Sequence, residues 1–308
     1  MINKTQDEII KDWKNTSSSD PLVSISCITY NHINYIEQCL DGFLEQETDY
    51  PFEILIHDDC STDGTTEIIQ KYSTKYPDII KPMYETENQY QQGKPAGSLI
   101  WNFPRAKGKY IALCEGDDYW IDENKLQMQV DFLENNPEYT MCFHSAELDV
   151  DGKHNVPYAM QNIKEQDYSA TEIFENWIVP TASVVFKKSV LNYPMKNEKK
   201  IMFGDIVLFE KSAHLGKVRG FAKKMSVYRI HDQGVSHSRM LNKKRRLGFP
   251  AHYECIYENF PLIDKNIILD RIIRSYGACF RFCGGFFDKL QYIKKITKYL
   301  KIYFNKKL

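Results

Sequence analysis

No stretch of the 308-residue chain reaches about eighteen apolar residues, the length a helix needs to cross a bilayer, so no spanning helix is expected. The first twenty residues are polar and carry no apolar leader core. Neither Gly-x-x-x-x-Gly-Lys-Ser/Thr nor Gly-x-Gly-x-x-Gly occurs, which removes the usual phosphate loop and dinucleotide turn. Internal repeats and extended low-complexity tracts are absent too. Cys279 and Cys283 lie four apart, but no second Cys or His pair completes a zinc pattern. The other cysteines point the same way: Cys27, Cys114 and Cys142 sit in apolar, strand-like segments where a free thiol behaves as a small hydrophobe, so a reducing cytosolic setting is expected.

A near-zero net charge of −1 conceals an asymmetry. Residues 265–308 hold 11 Lys or Arg against 2 Asp, a net +9, which leaves −10 on the first 264 residues. No nucleic-acid motif accompanies the basic segment, and the acidic remainder would repel phosphate away from a metal site, so no nucleic-acid partner is expected. With 43% hydrophobic and 26% charged residues, the chain can bury a sizeable core under a wet surface.

Chemistry concentrates at strand ends. Lys109–Cys114 is rich in β-branched and aromatic residues and reads as a buried strand, followed at once by Glu115, Gly116, Asp117, Asp118, Tyr119 and Trp120. Two carboxylates on a rigid strand end suit a hard divalent cation shared with the phosphates of a nucleotide diphosphate; read alone, the same pair also fits a turn or a helix cap. Pro21–Asn31 is a second strand with polar residues at its end, leading into a helical pattern through Ile36, Leu40, Phe43 and Leu44. A third strand from Phe52 breaks at Asp58 and Asp59 into a helix that Thr62 or Asp63 is placed to cap. Strand, helix, strand, helix in this order predicts a parallel sheet whose carboxyl ends gather Tyr30, Asp59, Asp117 and Asp118 in one crevice.

These elements resemble family 2 glycosyltransferases. The match is carried by Val23, Ser24 and Ile25 with Thr29, Tyr30 and Asn31, by Asp58 and Asp59 with Ser61–Thr65, and by Lys109–Ile111 with Glu115–Asp118, closely over residues 21–145 and more loosely over 180–238. The resemblance implies an α/β fold of the GT-A, Rossmann-like type: a mostly parallel sheet flanked by helices. Expected boundaries are an N-terminal helix and linker over 1–20, a catalytic domain over 21–238 with a donor half to about 150 and an acceptor half from 151, and a helical basic extension over 239–308. The activity implied is inverting transfer of a sugar from a nucleotide diphosphate donor, expected to be UDP-linked, to a hydroxyl of a saccharide or lipid-linked acceptor in bacterial surface polysaccharide or glycolipid synthesis. Mg²⁺ or Mn²⁺ is the implied cofactor, and the cytoplasmic side of the membrane the implied place.

Site roles follow from the same resemblance. Thr29, Tyr30, Asn31, Asp59, Asp117 and Asp118 are expected around the nucleotide sugar, with Asp118 on the metal, Asp117 on a ribose hydroxyl and Tyr30 offering a flat face to the base; simple packing is the competing reading for Tyr30. Asp205, before the apolar run Ile206–Leu208, reads by itself as a helix N-cap, whereas its place in the family order implies the catalytic base. His231, and less so His237, resembles a histidine that completes the metal site. Residues 87–97 depart from the family's usual Asn-x-Gly helix opening in a region that selects the donor. The Gln-x-x-Arg-Trp sequence of processive synthases is missing, which favours single additions. A noncatalytic carbohydrate-binding protein and a nucleotide-sugar nucleotidyltransferase remain as alternatives, the latter weakened by the absence of a Gly-rich N-terminal loop.

Two further expectations concern structure. Phe174–Phe186 is predicted to supply a strand bordering the acceptor site. Residues 290–304 are predicted to form an amphipathic helix with Tyr292, Ile293, Ile296, Tyr299, Leu300, Tyr303 and Phe304 on one face and Lys294, Lys295, Lys298 and Lys301 on the other, Ile302 being the exception. That apolar face can lie in a membrane surface or pack on the protein core.

Overall fold

The computed structural model describes residues 2–14, 20–93, 97–150, 153–154, 159–231, 243–282 and 285–305. Most of the expected linker at 15–20, and His237, fall outside them.

Helix α1 (Gln6–Ile10) opens on a capping box between Thr5 and Glu8. Strand β1 (Val23–Thr29), helix α2 (Ile36–Leu44), strand β2 (Phe52–Asp58), helix α3 (Thr65–Lys75) and strand β3 (Ile80–Tyr84) follow as two parallel crossovers. After the short helix α4 (Ser98–Trp101) come β4 (Tyr110–Leu113), the two-residue β5 (Tyr119–Trp120), helix α5 (Lys125–Asn135) and the long β6 (Tyr139–Val150). The remainder comprises β7 (Lys153–His154), β8 (Gln166–Asp167), α6 (Ala170–Asn176), β9 (Val185–Lys187), α7 (Gly204–Leu215), β10 (Lys217–Ile230) and three helices, α8 (Lys243–Asn259), α9 (Lys265–Phe282) and α10 (Phe286–Asn305).

The strands form one sheet in the order β3-β2-β1-β4-β9-β6-β10-β5, with β7 beside β6 and β8 beside β10. The β3-β2-β1-β4 half is wholly parallel; β9 runs antiparallel between β4 and β6, and β10 is parallel to β6. Side chains alternate across the sheet with period two. Tyr110 and Ala112 of β4 join one core with Ile36, Leu40 and Phe43 of α2 and Leu126, Val130 and Leu133 of α5. Ile111 and Leu113 join the opposite core with Ile206 of α7, Ile256 of α8 and Ile268, Leu269 and Ile272 of α9. A sheet covered on both faces favours continuous apolar strands, as in β4; in β1 the alternating Ser24 and Ser26 are buried as well, Ser24 donating to Glu53 Oε1 (2.6 Å) of β2. No helix among the described residues is long and apolar enough to cross a membrane.

The strand expected over Phe174–Phe186 is corrected. Ser169 and Glu172 form a capping box that starts α6. Trp177 ends it in a left-handed conformation, and after Pro180 and a 3₁₀ turn only Val185–Lys187 pairs in the sheet. That strand is central, between β4 and β6, and antiparallel to both.

The turn feeding β9 is held from α5. Trp120 Nε1 donates to the Ala182 carbonyl (2.8 Å) and Gln129 Nε2 to the Ser183 carbonyl (2.9 Å). Lys125 Nζ donates to Gln129 Oε1 (2.8 Å) and lies 4.0 Å from the centre of the Trp120 ring. This lysine is fully buried, and burial pushes its ammonium down to about 7. Between pH about 7 and about 10 the folded chain therefore holds less of this proton than the unfolded chain, so this residue's contribution to stability rises with pH. Relative to Lys125→Met, the parent should gain up to about 1.4 kcal/mol per pH unit across that window. Parallel denaturant titrations at pH 7 and 9 measure it; a parent-to-variant difference independent of pH would reject the buried-ammonium account.

Candidate active site

The carboxyl ends of β1, β2 and β4 meet on one edge of the sheet. Thr29 is buried at the end of β1, its Oγ1 3.1 Å from His32 Nδ1. Asn31 has a positive φ of 56°, which its side chain type tolerates. Its backbone N–H donates to Ser61 Oγ (2.9 Å), while its Oδ1 accepts from the Thr62 N–H (2.8 Å). Asn31 thus fastens the β1 loop to the β2 loop. Tyr30 is half-buried, and its hydroxyl accepts from Gln91 Nε2 at 3.2 Å.

Asp59 is committed differently from a free ligand. Its Oδ1 accepts from the Gln89 N–H (2.7 Å) and its Oδ2 from the Tyr90 N–H (3.1 Å), while its carbonyl accepts from Asn88 Nδ2 (3.0 Å). The carboxylate holds the 88–90 turn, part of the segment that departs from the family pattern. The N-cap of α3 is Gly64, in a left-handed conformation and with no side-chain cap bond, so neither Thr62 nor Asp63 takes that position; Asp63, one residue earlier, accepts at Oδ1 from the Thr65 N–H and hydroxyl.

The acid turn is pressed onto β1. Gly116 N–H donates to the Ile28 carbonyl (2.9 Å), and a Cβ at Gly116 would stand 2.7 Å from Thr29 Oγ1 and 3.1 Å from His32 Nδ1. Only glycine permits this approach, which fixes where Asp117 and Asp118 project. Pairing of β5 with β10, Tyr119 opposite Val227, brings Arg229 and His231 beside them.

The two aspartates then diverge. Asp117 Oδ2 lies 3.1 Å from His231 Nε2 and 3.8 Å from His32 Nε2. Burial works against its charge, yet the His231 hydrogen bond and the two imidazoles hold the Asp117 carboxyl below its ordinary value. Asp118 is 1% exposed; its Oδ1 accepts from the Arg229 N–H (2.8 Å), and its Oδ2 is buried with no partner among the described residues. Burial, then the neighbouring Asp117 charge, raises it well above the usual carboxylate range. His231 and Asp118 were expected to share a cation; His231 Nε2 lies against Asp117 Oδ2, on the residue next to Asp118.

Arg229, Glu115 and His32 received no role in the sequence reading. The Arg229 guanidinium donates to the Asp117 carbonyl (2.7 Å) and to Gln38 Oε1, and it stacks 4.2 Å from the Tyr119 ring. It pins the end of β10 to the acid turn. Glu115 is pushed up to about 8 by burial and then by the charges of Asp117 and, least, Asp205. The signal for Glu115 was present in the motif itself, while nothing in the spacing marked His32.

Asp205 is the second residue of α7, not its N-cap; that position belongs to Phe203, which makes no side-chain cap bond. Asp205 Oδ1 accepts from the Ile206 N–H at 2.8 Å, and burial raises its carboxyl above the ordinary aspartate value. An acid in the first turn is favoured by the helix dipole.

No three side chains among the described residues form a ready cluster for a metal ion. The donor chemistry still fits one: the carboxylate of Asp117 and the orphaned buried oxygen on Asp118 are hard ligands that suit Mg²⁺ or Mn²⁺, and the His231 imidazole beside Asp117 is a borderline one that Mn²⁺ also accepts.

A family model described as glycosyl transferase family 2 matches residues 24–192, more than half of the chain. The chain belongs to glycosyl transferase family 2. Rv1520 of Mycobacterium tuberculosis, an uncharacterized protein, is 34% identical over 226 residues, 72% of this chain and 63% of the relative. This family member therefore spans somewhat less than two thirds of that curated relative's length. Among solved structures, Staphylococcus aureus TarS residues 1–349 in complex with UDP-GlcNAc superposes with a TM-score of 0.65 at 18% identity, covering 91% of this chain and 80% of TarS. The mannosyltransferase PcManGT of Pyrobaculum calidifontis, in complex with GDP-Man and Mn²⁺, gives 0.55 at 18% identity, covering 92% and 83%. At that identity these likenesses show the fold, a GT-A-like α/β architecture followed by C-terminal helices.

The contact at Gly116 generates a prediction. Gly116→Ala must displace Thr29 or His32, an overpacking that costs about 1–3 kcal/mol, a fall in melting temperature of at least about 2 °C. Thermal unfolding tests this, and a variant that melts with the parent would reject the close approach.

Proposed function

We propose that this glycosyltransferase moves a sugar from a UDP-linked donor to a hydroxyl of a saccharide or lipid-linked acceptor, with inversion at the anomeric carbon, at the cytoplasmic face of a bacterial membrane and in the making of a surface polysaccharide or glycolipid. The reading is supported by the meeting of Asp117, Asp118 and His231 at the strand ends, with the charge of Asp205 acting on the neighbouring Glu115. Thr29, Tyr30, Asn31 and Asp59 frame the nucleotide side: Tyr30 offers its ring to the base, and Asp59 keeps lone pairs for base or ribose beyond the two that hold the 88–90 turn.

Asp117 and His231, 3.1 Å apart, and the unpartnered Oδ2 of Asp118 would hold a divalent cation against the donor's diphosphate. Bound there, the cation would supply Lewis-acid stabilisation of the negative charge that develops on the leaving diphosphate. Asp205 takes the proton from the acceptor hydroxyl as its oxygen forms the bond to the anomeric carbon. The bond from that carbon to the phosphate oxygen breaks on the opposite side, and its electron pair leaves with the diphosphate. A single in-line displacement of this kind inverts the configuration.

Asp205 must be ionised to act as the base, and burial raises its carboxyl. Activity should therefore fall as pH falls through a value above the ordinary aspartate range, and this acid limb should vanish in Asp205→Asn. That variant should keep donor affinity and lose transfer by two orders of magnitude or more; turnover within about threefold of the parent rejects the base role. Asp118→Asn should weaken metal-dependent binding of nucleotide diphosphate severely, as should Asp117→Asn. Calorimetry with and without Mg²⁺ or Mn²⁺ decides, and unchanged affinity in both variants would remove the acid pair from the donor site. Donor hydrolysis across a panel of nucleotide sugars separates an enzyme from a carbohydrate-binding protein of the same fold.

A further inference from the structure

Helix α10 has two apolar faces. One belongs to the core: Tyr299 is buried, with Tyr292, Ile296, Ile302 and Tyr303 packed beside it against the cluster that includes Ile272 and Tyr276 of α9. Glu254 of α8 anchors this face, its Oε1 accepting from the hydroxyls of Tyr276 (2.8 Å) and Tyr299 (2.7 Å) and from Lys295 Nζ (3.0 Å). The amphipathic stripe expected from the sequence is thus largely consumed by the protein, Ile302 included, and Lys295 is used to dock the helix.

A second row faces outward. Leu290 is 40% exposed, Ile293 46% and Phe304 58%, and Leu300 is partly exposed. At about 100° per residue these four occupy an arc of about 80° on the helix, away from the docked face. Lys294, Lys298 and Lys301, all exposed, border the arc on one side, and Lys289 borders it on the other. At the corner where α9 meets α10, Phe282 and Phe287 are also exposed, Phe287 by 79%.

We infer that this outward row is a docking surface for an anionic lipid bilayer, with Leu290, Ile293, Leu300 and Phe304 entering the headgroup boundary and the bordering lysines meeting lipid phosphates. The inference deepens the proposed work at a membrane face and rests on it. Three observations select the occupant. An apolar row edged by lysines is the arrangement that gains from burial and from negative surface potential together. A second copy meeting the same row would oppose two segments of net +9, which disfavours self-association through it. The helix is held rigidly by Glu254 and the tyrosines, so the row is presented without ordering cost.

The test uses the full chain and vesicles of neutral phosphatidylcholine or of phosphatidylcholine with equal phosphatidylglycerol. The protein should float with the anionic vesicles at low salt and not with the neutral ones. The double variant I293E/F304E, which alters no docked side chain, should lose at least about tenfold in vesicle affinity, and so should K294Q/K298Q/K301Q, which covers the case in which the first variant fails to fold. Donor hydrolysis in solution is read in parallel, so failure of the membrane surface and failure of the glycosyltransfer reading are separate results. The inference is overturned if the parent ignores anionic vesicles at low salt, if I293E/F304E binds them as the parent does, which would mean charge attraction alone, or if sedimentation shows the parent to be a dimer that I293E/F304E dissociates without any vesicle binding.

Discussion

Crowded carboxyls govern this cleft. Glu115, Asp117, Asp118 and Asp205 are brought to one poorly solvated place, and like charges in low dielectric cannot all remain ionised without positive partners. Their fates diverge accordingly. Asp117 keeps its charge beside two imidazoles, whereas Glu115 is pushed up to about 8 and Asp118 is raised well above the usual carboxylate range. Among the described residues, Arg229 beside the acid turn spends its guanidinium on the Asp117 carbonyl, Gln38, the Tyr119 ring and the carboxylate of Asp149 at 3.8 Å, an acid outside this group of four. A site left short of positive charge in this way is suited to receive it from a bound divalent ion.

Such an arrangement opposes folding, so the surrounding structure must over-determine it. The parallel half-sheet does this by fixing strand ends, the absence of a side chain at Gly116 by letting the acid turn sit on Thr29 and His32, and the β5–β10 pairing by delivering Arg229 and His231. Behind the acid turn the same strategy recurs with opposite charge. Trp120, immediately after the acids, covers a buried Lys125 and reaches through its Nε1 to the turn before β9, so the acid strand and the central antiparallel strand are tied through one indole.

Much of this was legible because it is local. Buried strands ending in polar residues announced β1, β2 and β4, and the helical period through Ile36, Leu40, Phe43 and Leu44 matches α2 residue for residue. What escaped was non-local or hidden by competing signals. The apolar content around Phe174–Phe186 outweighed the Ser169–Glu172 capping box, although the box decided the structure. Asp205 read as an N-cap because chain pattern cannot distinguish the cap from the second helical residue. The contact of His231 with Asp117 depends on the pairing of β10 with β5, and nothing in the order of residues states that pairing. On α10 the period identified the apolar stripe correctly in kind; which part of it docks was set by Glu254, forty residues upstream.

Asp59 shows how recognition and folding share a residue here. In the family pattern this acid stands at the nucleotide, and in this chain both its oxygens already accept from the backbone of Gln89 and Tyr90. Its orientation is therefore fixed before any donor arrives, and the same bonds position Tyr90 and, through Gln91, the Tyr30 hydroxyl. Preorganisation of this sort lowers the ordering cost of binding. It also couples donor choice to the segment 87–97, because a change there moves Asp59 and Tyr30 together. Divergence from the family in that segment is thus compatible with an unchanged set of acids: in the proposed reading the acids serve the diphosphate and the displacement, while the turn that Asp59 holds shapes the place where the base fits.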